Sequence, residues 1–77
     1  MTSPATVDVP GLTVSLGDTT YKIQALAEDT FTVLVAGVPV GRIVYTWGAA
    51  NGVAESESVT EETMYAIAEA WFAATGT

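Results

Sequence analysis

The sequence contains neither cysteine nor histidine, and Lys22 and Arg42 are its only basic side chains. Without cysteine and histidine there are no disulfides, no thiolate nucleophiles, no zinc sites of the usual Cys/His kind and no catalytic triad built on an imidazole. Two cations cannot neutralise a run of phosphates, so we expect no direct binding to nucleic acid.

Negative charge dominates the composition. Nine Asp and Glu residues oppose the two cations, which gives a formal net charge of -7 and a pI near 4.1. The chain of 77 residues is 49% hydrophobic and 14% charged, so it is too apolar to be disordered and suits one small domain. A domain of this size buries a limited core, and a second copy or a partner would add burial.

Nothing in the sequence predicts contact with a membrane. No run of residues approaches the roughly 18 to 20 apolar positions that a membrane span needs. Residues 1–10 contain no Lys or Arg and no long apolar stretch, so they do not read as a secretory signal. We therefore predict a cytoplasmic protein.

Hydrophobic periodicity predicts strands in the first two thirds of the chain. Residues 1–10 are predicted to form a flexible leader, and residues 11–77 a single small domain. Four runs in that domain alternate apolar and polar side chains with the period of a β-strand. These runs are Leu12–Leu16, Tyr21–Ala25, Phe31–Val35 and Val40–Trp47. Gly, Asp and Pro residues mark the short connections, which favours antiparallel hairpins.

A helix is predicted near the end of the sequence, after a small-residue segment at 48–52 and an acidic one at 53–58. It ends near Thr75, and Gly76 suits its C-cap. Its start has two alternatives. Ser58 with Glu61 fits a capping box, and Thr60 fits an N-cap equally well.

Together these patterns predict an α+β fold. A three- to four-stranded antiparallel β-sheet, connected as a meander, carries one C-terminal α-helix on one face. The predicted core combines one face of the strands with the apolar stripe of the helix: Leu12, Val14, Leu16, Tyr21, Ile23, Phe31, Val33, Val35, Ile43, Tyr45, Met64, Ile67, Ala68 and Trp71. Thr75 continues the helix stripe.

Two features have a structural and a functional interpretation. Trp47 shares a strand face with Ile43 and Tyr45, which places it in the core or at its edge. If it were exposed beside the glycine-rich segment, it would be a candidate hot spot for binding. The outer side of the helix is rich in alanine, which suits a solvated face or close contact with a second helix; its alanines are Ala66, Ala70 and Ala73.

The acidic residues cluster around the predicted start of the helix. Glu55, Glu57, Glu61 and Glu62 lie within eight residues, and no basic residue stands among them. In an extended chain Glu55 and Glu57 would be about 6.6 Å apart, near the spacing of phosphates along a nucleic-acid strand. Solubility, helix capping or a salt-adapted acidic proteome would also account for such acids.

The sequence favours a protein without catalytic, metal or cofactor sites. Paired carboxylates can hydrolyse glycosides or hold Mg²⁺ or Ca²⁺, yet no calcium-loop motif is present. Hydroxyl groups are plentiful but lack an imidazole to activate them. Lys22 lies in an alternating strand, where a solvated role is expected. We therefore predict that the protein is not an enzyme.

In size and composition the sequence is similar to small acidic proteins of phages and mobile elements, among them anti-CRISPR proteins and other DNA mimics. This resemblance rests on no motif. It implies a protein-binding module that inhibits or modulates a basic nucleic-acid-binding protein. The predicted partner-binding residues are Glu55, Glu57, Glu61, Glu62, Glu28, Asp29 and Trp47. The alternative is a structural or assembly protein that forms a homodimer or larger oligomer through the helix, at Ala66, Ala70 and Ala73.

Overall fold

The computed structural model describes residues 5–75, which form six β-strands followed by one α-helix. The elements are β1 (Thr6–Asp8), β2 (Thr13–Leu16), β3 (Thr19–Ala27), β4 (Thr30–Val35), β5 (Val38–Thr46), β6 (Ala49–Ala54) and α1 (Glu61–Thr75). Each strand pairs antiparallel with the next in chain order, so the sheet is a six-stranded meander. The predicted α+β class with one C-terminal helix is confirmed, and the predicted three or four strands are too few.

The two additional strands lie at the edges of the sheet. β1 falls within the segment predicted as a leader, whose first four residues lie outside the described part of the chain, as does the predicted C-cap Gly76. β6 has the sequence AANGVA, in which Val53 is the only residue with high strand propensity. Pairing with β5 across a two-residue turn forms this strand in spite of its composition.

The sheet curls around the helix. α1 packs most closely on β6 and β5 and also approaches β1 and β2, at the other edge. Within residues 5–75, no Cα of α1 lies within 8 Å of a Cα of β3 or β4. The helix backbone is therefore near both edges of a concave sheet and far from its centre.

Side-chain size follows this uneven gap. Where the backbones are close, the sheet presents glycine: a Cβ added to Gly52 would lie 2.5 Å from the carbonyl oxygen of Met64. Where the gap is wide, aromatic rings fill it. The Phe31 ring lies 5.8 Å from Trp71 and 5.7 Å from Phe72, in tilted or edge-on arrangements that aromatic pairs prefer.

The core occupies the concave side of the sheet. Its buried side chains are Val14, Tyr21, Ile23, Val33, Val40, Ile43, Met64, Ile67, Ala68, Trp71 and Phe72. Four predicted core residues, Leu16, Phe31, Val35 and Tyr45, are half-buried and pack against this cluster. Among the described residues, Trp71 Nε1 is the one buried side-chain nitrogen or oxygen without a hydrogen-bond partner.

The predicted core omitted Phe72, which is buried in the regular helix α1, and it differs at two further positions, where irregular backbone is the reason. Val33 pairs with Gly41 and Leu34 with Pro39, which leaves Val40 as the extra residue of a β-bulge. Strict alternation along the run Val40–Trp47 would place Val40 on the face opposite Ile43, but the bulge interrupts it and both residues are buried in the core. Leu12 precedes β2 with a φ of 58° and is exposed.

The helix start agrees with one of the two predicted alternatives. The Thr63 amide donates to the Thr60 hydroxyl at 3.1 Å, and the Met64 amide donates to the Thr60 carbonyl at 3.0 Å. Thr60 is therefore the N-cap, while Ser58 lies in the preceding turn.

No helix within residues 5–75 is both long and apolar enough to cross a bilayer.

We predict that Thr60→Ala lowers the free energy of unfolding by about 1 kcal/mol, because the first turn of α1 loses its capping oxygen. Ser58→Ala is the matched control and should change it by less than about 0.5 kcal/mol. Urea unfolding followed by circular dichroism measures both. Equal losses in the two variants would contradict the assignment of the cap to Thr60.

We also predict that Gly52→Ala destabilises the protein by about 1–3 kcal/mol, because the new methyl group would enter the backbone of α1. Ala49→Val adds carbon to the same strand at an exposed position and should be nearly neutral. Thermal unfolding of the two variants compares them directly. If Gly52→Ala unfolds at the wild-type temperature, the close helix–strand contact is wrong.

Candidate functional site

The meander separates the predicted partner-binding residues into two groups. Because successive strands run in opposite directions, the β3–β4 and β5–β6 turns lie at one end of the sheet. The β2–β3 and β4–β5 turns and the linker from β6 to α1 lie at the other end. From Val40 to Thr46, β5 spans about 20 Å at the usual rise per residue. The seven predicted residues therefore form two separate patches, one at each end of the sheet.

The first group forms the linker surface, which we define as Glu55, Glu57, Glu61 and Glu62. The Glu55 amide donates to the Val40 carbonyl at 2.9 Å, so the linker begins beside β5. The chain then turns: the Val59 amide donates to the Ser56 carbonyl at 3.4 Å. Residues 56–58 are therefore not in the extended conformation on which the predicted spacing of Glu55 and Glu57 depended.

A cation neutralises one member of the linker surface. Arg42 Nε donates to Glu55 Oε2 at 2.8 Å, although the sequence pattern had suggested that no base offsets these acids. The two side chains are 46% and 40% exposed, and exposed ion pairs contribute about 1 kcal/mol or less to stability. Glu55 is consequently less available to a partner than its neighbours are.

The remaining carboxylates of the linker surface are exposed and have no cation beside them. Glu57, Glu61 and Glu62 take part in no ion pair within the described residues. Glu61 and Glu62 occupy the first turn of α1, where the helix dipole favours negative charge. These two residues thus help to hold the helix start and also present charge to the solvent.

The second group lies at the opposite end and forms the tip surface, which we define as Leu26, Glu28, Asp29 and Trp47. The Tyr45 amide donates to the Asp29 carbonyl at 2.9 Å, which joins the β3–β4 turn to the end of β5. Leu26 is the extra residue of a bulge between Ala25 and Ala27 and is 58% exposed. No pattern in the sequence indicates this bulge.

Trp47 is 97% exposed, so its predicted place in or beside the core is wrong. The alternation that groups it with Ile43 and Tyr45 ends at Thr46, which pairs with Ala49. Trp47 and Gly48 form the two-residue turn between them, with φ values of 56° and 75°. Two positive φ values are typical of the type I′ hairpin turn, which turns the indole away from the sheet.

The chain contains a second turn of the same kind. Ala36 and Gly37 connect β4 to β5 with φ values of 52° and 83°, and Val35 pairs with Val38 on either side. The left-handed region costs an ordinary residue roughly 1–2 kcal/mol. Because alanine fills the first position in one turn, the indole of Trp47 is not required to form the other.

Both cations lie on the face of the sheet away from α1. Lys22 is exposed between two buried residues of β3, as its alternating strand predicted. Beside it is an open groove of about 370 Å³, lined in part by Leu12 and Leu34. One ammonium group with apolar neighbours could attract an anion, but no second charged group of the described chain lines the groove.

The alanines of the helix do not form one exposed stripe. Ala66 and Ala73 are exposed, whereas Ala70 is half-buried and packs against the core. Within residues 5–75, no three carboxylates converge as a possible metal site.

No protein-family model matches the chain, and neither a curated protein nor a solved structure matches it.

We predict that Trp47→Asn raises the free energy of unfolding by about 1 kcal/mol, because asparagine tolerates the left-handed conformation and Asn-Gly suits this turn. Ala36→Asn, in the matching turn, is the control and should give a gain of similar size. Urea unfolding measures both gains. A loss at Trp47 together with a gain at Ala36 would mean that the indole contributes to the fold.

Proposed function

We propose that the protein is a non-enzymatic acidic module that binds the basic surface of a nucleic-acid-binding protein and occupies it in place of nucleic acid. The observation that carries this proposal is uncompensated charge. All nine carboxylates are exposed, and within the described chain only Glu55 is paired with a cation. An inhibitor of the anti-CRISPR type is the most specific form of the proposal.

The linker surface supports the proposal through its concentration of charge. Glu57, Glu61 and Glu62 lie within six residues of a turn and a helix start, so three carboxylates share one small region. Exposed like charges repel one another and gain when a cationic surface approaches. Such a surface steers a basic partner toward it and makes the association rate sensitive to salt.

The proposal makes nucleic acid a competitor of the protein. Tagged protein would be incubated with host lysate, washed at 100 mM or 500 mM salt, and its partners identified by mass spectrometry. A basic nucleic-acid-binding protein should be retained at the lower salt concentration and lost at the higher. Adding the partner's own nucleic acid should release it at low salt. A partner held equally well under all three conditions would contradict the proposal.

Charge removal tests which carboxylates bind. We predict that Glu57→Gln/Glu62→Gln weakens binding to the captured partner roughly tenfold at low salt, through the loss of two local charges. Asp8→Asn/Glu69→Gln removes the same number of charges elsewhere and should weaken binding less than about twofold, by the long-range field alone. Titration calorimetry gives both affinities, and circular dichroism checks that α1 remains folded.

If the two double variants bind equally weakly, the partner senses only the net charge. In that case the linker surface is not the binding site. Equal and undiminished binding by both variants would instead exclude the electrostatic mechanism.

A further inference from the structure

In the part of the chain that the structure describes, the side chain of Trp47 has no visible role in the fold. Its side chain is 97% exposed, whereas the other tryptophan, Trp71, is 2% exposed in the core. Ala36 and Gly37 form a turn of the same kind at the other end of the sheet, without an aromatic side chain. An indole that packs against almost nothing, on strained backbone, points to a role outside the fold.

The charges around Trp47 indicate what it would contact. Glu28 and Asp29 lie in the adjacent turn, and neither Lys22 nor Arg42 belongs to the tip surface. The end of α1 adds to the same field. The ring centroids of Phe72, near the end of α1, and Tyr45, near the end of β5, lie 5.2 Å apart, so the helix ends toward the tip surface. The last turn of α1 contains no basic residue to offset the partial negative charge of its carbonyl groups.

An indole among carboxylates is suited to a cation. The face of an aromatic ring is the negative part of its quadrupole, and tryptophan gives the strongest cation–π contacts of the aromatic side chains. Tryptophan is also among the residues most enriched at binding hot spots. Leu26, exposed nearby, could cover the aliphatic part of a long basic side chain.

We propose that Trp47 is the anchor of a docking surface for a basic protein, on which an arginine or lysine of the partner lies against the indole while Glu28 and Asp29 hold neighbouring cations. This inference rests on the proposed function and adds a second contact region, about 20 Å along the sheet from the linker surface. A partner that spans both ends would contact the carboxylates of the linker surface at one end and the indole of Trp47 at the other.

A second copy of the chain is the competing occupant. The indole of one copy could enter the groove beside Lys22 of another, where a cation and apolar side chains are both present. Both copies carry a formal net charge of -7, so this association works against mutual repulsion. A basic partner is attracted by the same charge, which is why we favour it.

A deca-arginine peptide is a suitable probe, titrated into ¹⁵N-labelled protein at low salt. The two tryptophans give two indole N–H signals, and the Trp47 signal is assigned from Trp47→Ala. We expect the peptide to shift the Trp47 signal and to leave the buried Trp71 signal in place. Trp47→Ala should raise the dissociation constant about two- to fivefold, the effect of an exposed cation–π contact, and Trp47→Phe should raise it less.

Two further variants locate the contact. Moving the indole to the matching turn, in Trp47→Ala/Ala36→Trp, should leave the affinity as low as in Trp47→Ala. Neutralising the adjacent turn, in Glu28→Gln/Asp29→Asn, should reduce both the affinity and the shift of the Trp47 signal. If the transplanted indole restores wild-type affinity, the position at the tip surface is irrelevant and the inference is overturned.

The possible failures are distinguishable. If wild-type protein does not bind the peptide at low salt, the proposed function itself fails. If it binds in a salt-sensitive manner while Trp47→Ala binds equally well and the Trp47 signal does not move, only the anchor is wrong. If light scattering shows a dimer without peptide, and Lys22→Glu abolishes both the dimer and a concentration-dependent shift of the Trp47 signal, the second copy is the occupant instead.

Discussion

The close approach of α1 to β6 is the constraint on which the rest of the fold depends. It requires a residue without a side chain at Gly52, and also at Gly41, where an added Cβ would lie 2.6 Å from the terminal methyl carbon of Met64 on α1. With the helix backbone held against this edge, the curled sheet leaves its widest space above β3 and β4. Trp71 and Phe72 of α1 and Phe31 of β4 fill that space, so the small and the large side chains are two consequences of one geometry.

The charged residues obey a different rule, because no carboxylate contributes to the core. All nine are exposed, and the single ion pair of the described chain joins two partly exposed side chains. Such charge adds little to stability, and its self-repulsion opposes compact structure. Binding of a positively charged partner would lower the repulsion among these carboxylates.

The sequence predicted what depends on local alternation and missed what depends on contacts between distant elements. β2, β3, β4 and β5 alternate because one face of an antiparallel sheet is buried. β6 is set by its pairing with β5 and not by propensity, and the Arg42–Glu55 pair exists only because β6 brings the linker back beside β5. The missed strand also explains the divided site: β6 carries the chain a full strand length from Trp47 before Glu57 is reached. Periodicity likewise could not predict that Val40 lies in the core, because a bulge has no signature in the alternation of apolar and polar residues.

The order of the elements along the chain has a consequence for folding. Every strand pairs with its sequence neighbour, so the sheet can form by successive hairpins with low loop-closure cost. Within residues 5–75, however, the concave face is covered only by α1, which follows all six strands. At about 5–20 residues per second, the synthesis of α1 is completed one to a few seconds after that of β6. During that interval the apolar interior of the meander is open to water and to other chains, and any chaperone that protects this protein would have its substrate there.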